Sequence, residues 1–222
     1  MPEQLVFDWP RDTALRPEDF FVSDANRVAA QLIAAPQDWP DGKLVLTGPE
    51  SSGKSHLARV FQVTSDAMIV AAADLPEGLR PNGPLAVEDL SGLPPDREEA
   101  MFHLHNHMAG AGLPLLMTDR LPPARWNIAL PDLASRMQAT TPVNIEDPDD
   151  MLLQVLIMKL FADRQVIPPP SVVQFLSTRI ERSYVAVGDI VARLDHASLV
   201  RKKPASIKLA STLLDKGDAE GA

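Results

Sequence analysis

Apolar residues follow two patterns along the chain. Up to about residue 146, short continuous apolar runs alternate with stretches that repeat at helical spacing. The runs are Leu44-Val45-Leu46, Ala67-Met68-Ile69-Val70, Leu85-Ala86-Val87, Leu113-Pro114-Leu115-Leu116-Met117 and Val143-Asn144-Ile145. Runs this short, bounded by Pro, Gly and polar residues, read as buried strands. Between them, helical spacing predicts helices over Arg27–Ile33, capped by Ser23 or Asp24, and over His56–Phe61. Two more are expected over Asp96–Met108, closed by Gly110 and Gly112, and over Leu130–Met137. Alternating strands and helices predict an α/β domain with a parallel sheet, placed at residues 16–146.

From residue 147 the strand pattern stops. Asp149 to Arg164 reads as a long helix with Leu152, Leu153, Leu156, Ile157, Leu160 and Phe161 inward. Pro168-Pro169-Pro170 breaks it, Ser171 is expected to cap a second helix, and a third covers Val187–Leu199. Residues 147–203 therefore predict a small helical lid on the α/β domain. Residues 204–222 are expected to be a tail that frays from Gly217 onward. Residues 1–15 look extended, yet Leu5, Phe7 and Trp9 are large and apolar. Such a peptide either docks on its own domain or serves as a short linear motif, with Gln4 at a groove's rim and Leu5 and Phe7 as anchors.

The chemistry centres on Gly48-Pro49-Glu50-Ser51-Ser52-Gly53-Lys54-Ser55, which fits GxxxxGK[ST] at every fixed position. A strand precedes it and a helix follows, the context in which backbone N–H groups curl into an anion nest at a helix N-terminus. Lys54 is placed to reach β- and γ-phosphates, and the Ser55 hydroxyl to ligate Mg²⁺. About 40 residues on, Leu85-Ala86-Val87 runs into Glu88-Asp89. An apolar strand ending in two acids can steady Mg²⁺ with one carboxylate and orient the attacking water with the other. Asp119, at the tip of the next strand, is a polar group suited to sensing a γ-phosphate. His103, His105 and His107 share the Asp96–Met108 helix; no acid at a suitable spacing completes a metal site, so they read as ordinary helix residues.

Composition narrows the field. The 222 residues carry 21 basic and 30 acidic side chains, a net charge of −9, which argues against a mainly non-specific nucleic-acid binder. With no cysteine, thiol catalysis and cysteine-ligated zinc are excluded. No apolar run approaches the ~20 residues of a membrane span, and Met1-Pro2-Glu3-Gln4 does not open a signal peptide. A cytoplasmic protein without a membrane partner is expected.

On these residues the chain resembles the AAA+ ATPases, and in finer wording the DnaA family. Asp19-Phe20-Phe21-Val22 with Asn26 is similar to that family's adenine-side segment, and Gly53-Lys54-Ser55-His56-Leu57 to its phosphate loop and helix start. Thr118-Asp119-Arg120 resembles its sensor 1 turn, and Ser135-Arg136 its arginine-finger segment. The likeness spans about Arg16 to Leu199. It implies ATP or ADP with Mg²⁺ as ligands, and Val22, Asn26, Gly48 through Ser55 and His56 as nucleotide contacts. Ser55, Glu88 and Asp89 would serve the metal, Glu88, Asp89 and Asp119 catalysis, and Arg136 a neighbouring subunit in trans. No helix-turn-helix reader of DNA follows the lid, so direct sequence-specific DNA binding is not expected. With the Gln4 peptide, this arrangement is similar to the family's Hda type. That type implies docking on the replicative sliding clamp through Gln4, Leu5 and Phe7, and accelerated hydrolysis of DnaA-bound ATP. Homo-oligomers also occur in such a family. Glu88 stands where Asp is usual, and Val185 falls where the lid's sensor 2 arginine is expected, with Arg182 one turn away. Slow or absent intrinsic hydrolysis is therefore expected. The alternative is a nucleotide-binding adaptor or helicase-loader-type ATPase.

Overall fold

The computed structural model describes residues 20–201 and 203–220. Gln4, Leu5 and Phe7 lie outside them. Five strands form one sheet: β1 (Lys43–Thr47), β2 (Met68–Ala71), β3 (Leu85–Glu88), β4 (Leu115–Asp119) and β5 (Pro142–Asn144). Their order is β2-β3-β4-β1-β5, and each pairing is parallel. α1 (Arg27–Ala34) precedes β1, α2 (Lys54–Ser65) joins β1 to β2, and α3 (Glu98–Ala111) joins β3 to β4. α4 (Pro131–Ala139) joins β4 to β5.

β1, β3 and β4 each carry an unbroken apolar run, Leu44–Leu46, Leu85–Val87 and Leu115–Met117, because both faces of the sheet are covered, as parallel sheets require. Side chains alternate across it. Leu44, Leu46, Ala86 and Leu116 join Ile33, Leu57 and Phe61 beneath α1 and α2. Val45, Val87, Leu115 and Met117 join Met101, Leu104, Leu133 and Met137 beneath α3 and α4. β2, expected to be buried, is the edge strand; Met68 and Ala71 are exposed, and Ile69 and Val70 half-buried. A run of four apolar residues cannot announce that it has a neighbour on one side only.

The lid begins with α5 (Asp150–Ala162), followed by α6 (Pro170–Ser177) and α7 (Tyr184–Arg201). The stretch expected to be a tail carries an eighth helix, α8 (Ile207–Glu220), whose Leu209 and Ala210 enter the lid core with Phe161, Leu176 and Leu194. Leu152 of α5 and Tyr184 of α7 instead belong to the core under α1 and α2, and so tie the lid to the sheet. The Tyr184 hydroxyl donates to the Glu146 carbonyl at 3.0 Å, and burial raises its pKa.

Four helix ends differ from expectation. Asn26, rather than Ser23 or Asp24, occupies the cap of α1, its side chain accepting from the Ser23 N–H and donating to the Phe21 carbonyl. Pro169 precedes α6 and Pro170 opens it, so Ser171 lies inside the helix. Gly110 is within α3, and Gly112, at φ +65°, ends it. Asp149, expected to open the long helix, instead caps α5, accepting the Leu152 N–H at 2.8 Å. No helix among the described residues is long and apolar enough to cross a membrane.

Candidate nucleotide site

Ligands of open α/β sheets bind beyond the carboxyl ends of the strands, where strand order reverses. Here that point is β1, whose sheet neighbours are β4 and β5 rather than β2. The segment after β1 is the glycine-rich loop; Asp89 follows β3 and Arg120 follows β4. All three ends open on one cleft of about 380 Å³, roofed by α5 of the lid.

The loop owes its shape to two glycines. A Cβ on Gly48 would meet the Ile145 Cβ and carbonyl and the Ser52 Oγ at 3.0 Å, so backbone and wall are already in contact. Gly53 sits at φ +96° directly before α2, with the Phe20 ring 3.1 Å from where its Cβ would lie. Lys54 is the first residue of α2 and is buried; its ammonium donates to the Gly48 carbonyl at 2.8 Å and the Pro49 carbonyl at 2.7 Å. Burial lowers its pKa, a shift opposed by the Asp89 carboxylate. An anion entering the cleft would meet this cation at the N-terminal, positive end of α2.

The cleft receives most of the expected nucleotide contacts. Asn26, Glu50, Ser51, Ser52, Gly53, Lys54, Ser55 and His56 line it. Gly48 and Pro49 shape the loop and hold Lys54 through their carbonyls. Val22 does not line it and is exposed; Phe20 and Phe21 take that place, Phe20 packing edge-on against the His56 ring.

The acidic residues divide. Asp89, at φ +58°, turns out of β3 and lines the cleft. Glu88 stays at the strand end, half-buried, with Oε1 sealed from solvent and lacking a hydrogen-bond partner. Ser55 and Asp89 offer the sparse oxygen set that suits Mg²⁺, which takes one or two carboxylates plus phosphates and water rather than a protein cage. No cluster of three or more His, Asp or Glu suited to a metal exists among the described residues, the three α3 histidines included.

Asp119 is not a cleft residue. It is buried, and both carboxylate oxygens accept backbone N–H groups, Oδ2 from Ser91 at 2.5 Å and Oδ1 from Leu121 at 2.9 Å. It therefore pins the turn after β3 to the tip of β4. The next residue, Arg120, lines the cleft and pairs with Glu50 of the loop at 2.6 Å.

Sequence reading missed the lid's share of the site. Leu156 and Leu160, assigned to the lid core, also line the cleft with Leu152, Val155, Lys159 and Asp163. The signal was present: α5 is apolar on more than one face. Leu153, Ile157 and Phe161 pack into the lid while 152, 156 and 160 form a second stripe. Val185 is partly exposed and does not line the cleft, and Arg182 pairs with Asp150 at the surface. Arg136 lies at the other end of the sheet, exposed, its guanidinium 5.1 Å over the Phe102 ring.

No protein-family model matches the chain. Solved structures match its fold. Domain III of the Thermotoga maritima replication initiation protein DnaA superposes with a TM-score of 0.74 at 16% identity, over 94% of this chain and 98% of that one. AMPPCP-bound DnaA from Aquifex aeolicus gives 0.63 at 15% identity, over 81% of this chain and 65% of that one. The Thermotoga maritima RuvB Holliday junction branch migration motor gives 0.65 at 15%, over 90% and 72%. The fold is that of AAA+ phosphate-loop domains.

Proposed function

We propose that this chain is a DnaA-related AAA+ regulator of replication initiation that binds ATP or ADP with Mg²⁺ in the cleft under α5. The observation that carries the reading is the junction of Lys54 and the first turn of α2 with a roof of Leu152, Leu156 and Leu160. One end of that cleft suits phosphates and the other an apolar base. Asn26, Phe20 and Phe21 close the base end; Ser55 and Asp89 hold the metal, with Glu88 behind them. Bound Mg²⁺ would neutralise charge on the phosphates and polarise them.

Two features favour a regulator over a motor. The lid sends Lys159 into the cleft but, among the described residues, no arginine. Arg136 faces solvent away from its own cleft, where it can reach only a nucleotide held by another subunit. The regulator acts on DnaA: Arg136 places a fixed positive charge against the phosphoryl group transferring in DnaA's own site. Gln4, Leu5 and Phe7 tether the complex to the sliding clamp. Such fingers contribute roughly 10³ to 10⁵ in rate in other NTPases.

The test is DnaA's ATP hydrolysis with this chain, clamp and DNA present. Arg136→Ala should abolish stimulation while leaving ADP binding by the chain intact. Undiminished stimulation by that variant would refute the finger assignment.

A further inference from the structure

A second cavity, of about 180 Å³, opens at the end of the sheet opposite the phosphate loop. Its walls come from three elements: Asp41 and Lys43 at the start of β1, His105 of α3, and Arg136 with Thr140 and Thr141 at the end of α4. Nothing in the nucleotide cleft uses Lys43 or His105.

His105 is 4% exposed, and neither ring nitrogen has a hydrogen-bond partner. A buried polar ring left unpaired is costly, and folded proteins seldom keep one without a use. Lys43 is also buried, and its ammonium makes a long hydrogen bond, 3.4 Å, to the Asp41 carbonyl. Arg136 completes a set of two fixed cations and one imidazole around one small space. The groups oppose one another. Burial, then Lys43, then Arg136 drive the His105 pKa down to about 4. Burial lowers Lys43 as well, a shift countered by Asp41 and reinforced by Arg136. Asp41 is the one carboxylate in the lining and offsets part of this excess charge.

We propose that Lys43, His105 and Arg136 form an oxyanion pocket that receives a phosphate group. An anion there gives both cations a partner and lets the imidazole protonate and donate from both nitrogens. The cavity is below the roughly 300–1,000 Å³ of sites for drug-sized ligands, so it suits a phosphate rather than a whole nucleotide. The phosphate is either free or the terminal group of a nucleotide held by a neighbouring subunit. The second source, and only that source, rests on the in-trans reading of Arg136 above.

The experiment follows the His105 ring signals of the full chain by ¹H–¹⁵N correlation, assigned through bonds from α3. Samples are saturated with Mg-ADP to occupy the loop, then titrated in pH with and without inorganic phosphate. Phosphate should raise the His105 titration by about one unit or more, the size expected from an opposite charge a few ångströms away. Lys43→Met and Arg136→Ala should each weaken the phosphate response about tenfold, the loss of one charge-assisted contact. An unmoved His105, or a response in both variants as strong as in the native chain, overturns the pocket. Lys54→Ala should retain the response; its loss there would mean that phosphate acts from the loop, and also overturns the pocket. A further arm replaces phosphate and ADP by AMPPCP at rising protein concentration. A concentration-dependent shift, absent with ADP, assigns the phosphate to a neighbour's nucleotide. Response to inorganic phosphate alone assigns free phosphate and removes the in-trans source while the pocket stands.

Discussion

Replacing Lys54 by Ala tests the cleft most directly. In the folded chain its ammonium is held by the Gly48 and Pro49 carbonyls, and burial lowers its pKa, so a phosphate arriving there meets a desolvated cation in place. Mg-ADP at 100 times its Kd should stabilise the native chain by ~2.7 kcal/mol. For a chain of this size ~1 kcal/mol moves Tm by about 2–4 °C, so the shift should be about 5–10 °C. Removing the charged contact costs about 1.5–3 kcal/mol, or roughly 10–150-fold in affinity. At the same ligand concentration the variant then keeps only about 0.3–1.4 kcal/mol of stabilisation, a shift of about 1–5 °C. The assay is thermal unfolding with and without Mg-ADP, each variant compared with its own ligand-free sample. That comparison cancels the loss of the two loop hydrogen bonds. A full shift in Lys54→Ala would show that nucleotide does not place its phosphates at this loop.

Two further predictions concern the supports of the site. Glu98 is buried and accepts the Ala129 N–H at 2.9 Å and the Leu130 N–H at 2.6 Å, holding the approach to the helix that carries Arg136. Glu98→Gln turns one acceptor into a donor facing an N–H, and should cost about 2–4 kcal/mol in urea unfolding; a negligible change would refute this role. Asp149 joins the lid's first helix to the segment that precedes α1. Burial pushes its carboxyl up, but bonds from the Leu152 N–H, the Ser23 hydroxyl and the Ala25 and Met151 N–H groups outweigh that, and its pKa is lowered. A lowered carboxyl contributes stability that is present above its ordinary value of 3.8 and is lost as pH falls through the folded value. Asp149→Ala should therefore cost about 1 kcal/mol at pH 7, with the gap to the native chain closing in strong acid. A gap unchanged at low pH would sink the argument.

The phosphate loop was legible in the chain because its chemistry is local. Eight consecutive residues carry the two glycines, the lysine and the serine, and the apolar runs beside them announce the strand and helix that aim them. Parallel strands buried on both faces betray themselves as unbroken apolar runs, so β1, β3 and β4 were equally plain. What required the tertiary structure was every property set by a neighbour distant in sequence. β2 is an edge because, among the described residues, nothing pairs with its far side. α8 is a lid helix because Leu209 and Ala210 find Phe161 and Leu194 to pack against. Asp119 and Arg120 are adjacent in the chain, yet the Ser91 and Leu121 N–H groups claim the first and leave the second to the cleft. His105 shared its helix with two other histidines and looked ordinary. Burial between Lys43 and Arg136, 62 residues before it and 31 after, sets it apart. Spacing along a chain determines local geometry and hence the anion nest. Burial and charge depend on what folding brings alongside, and only the packed molecule decides those.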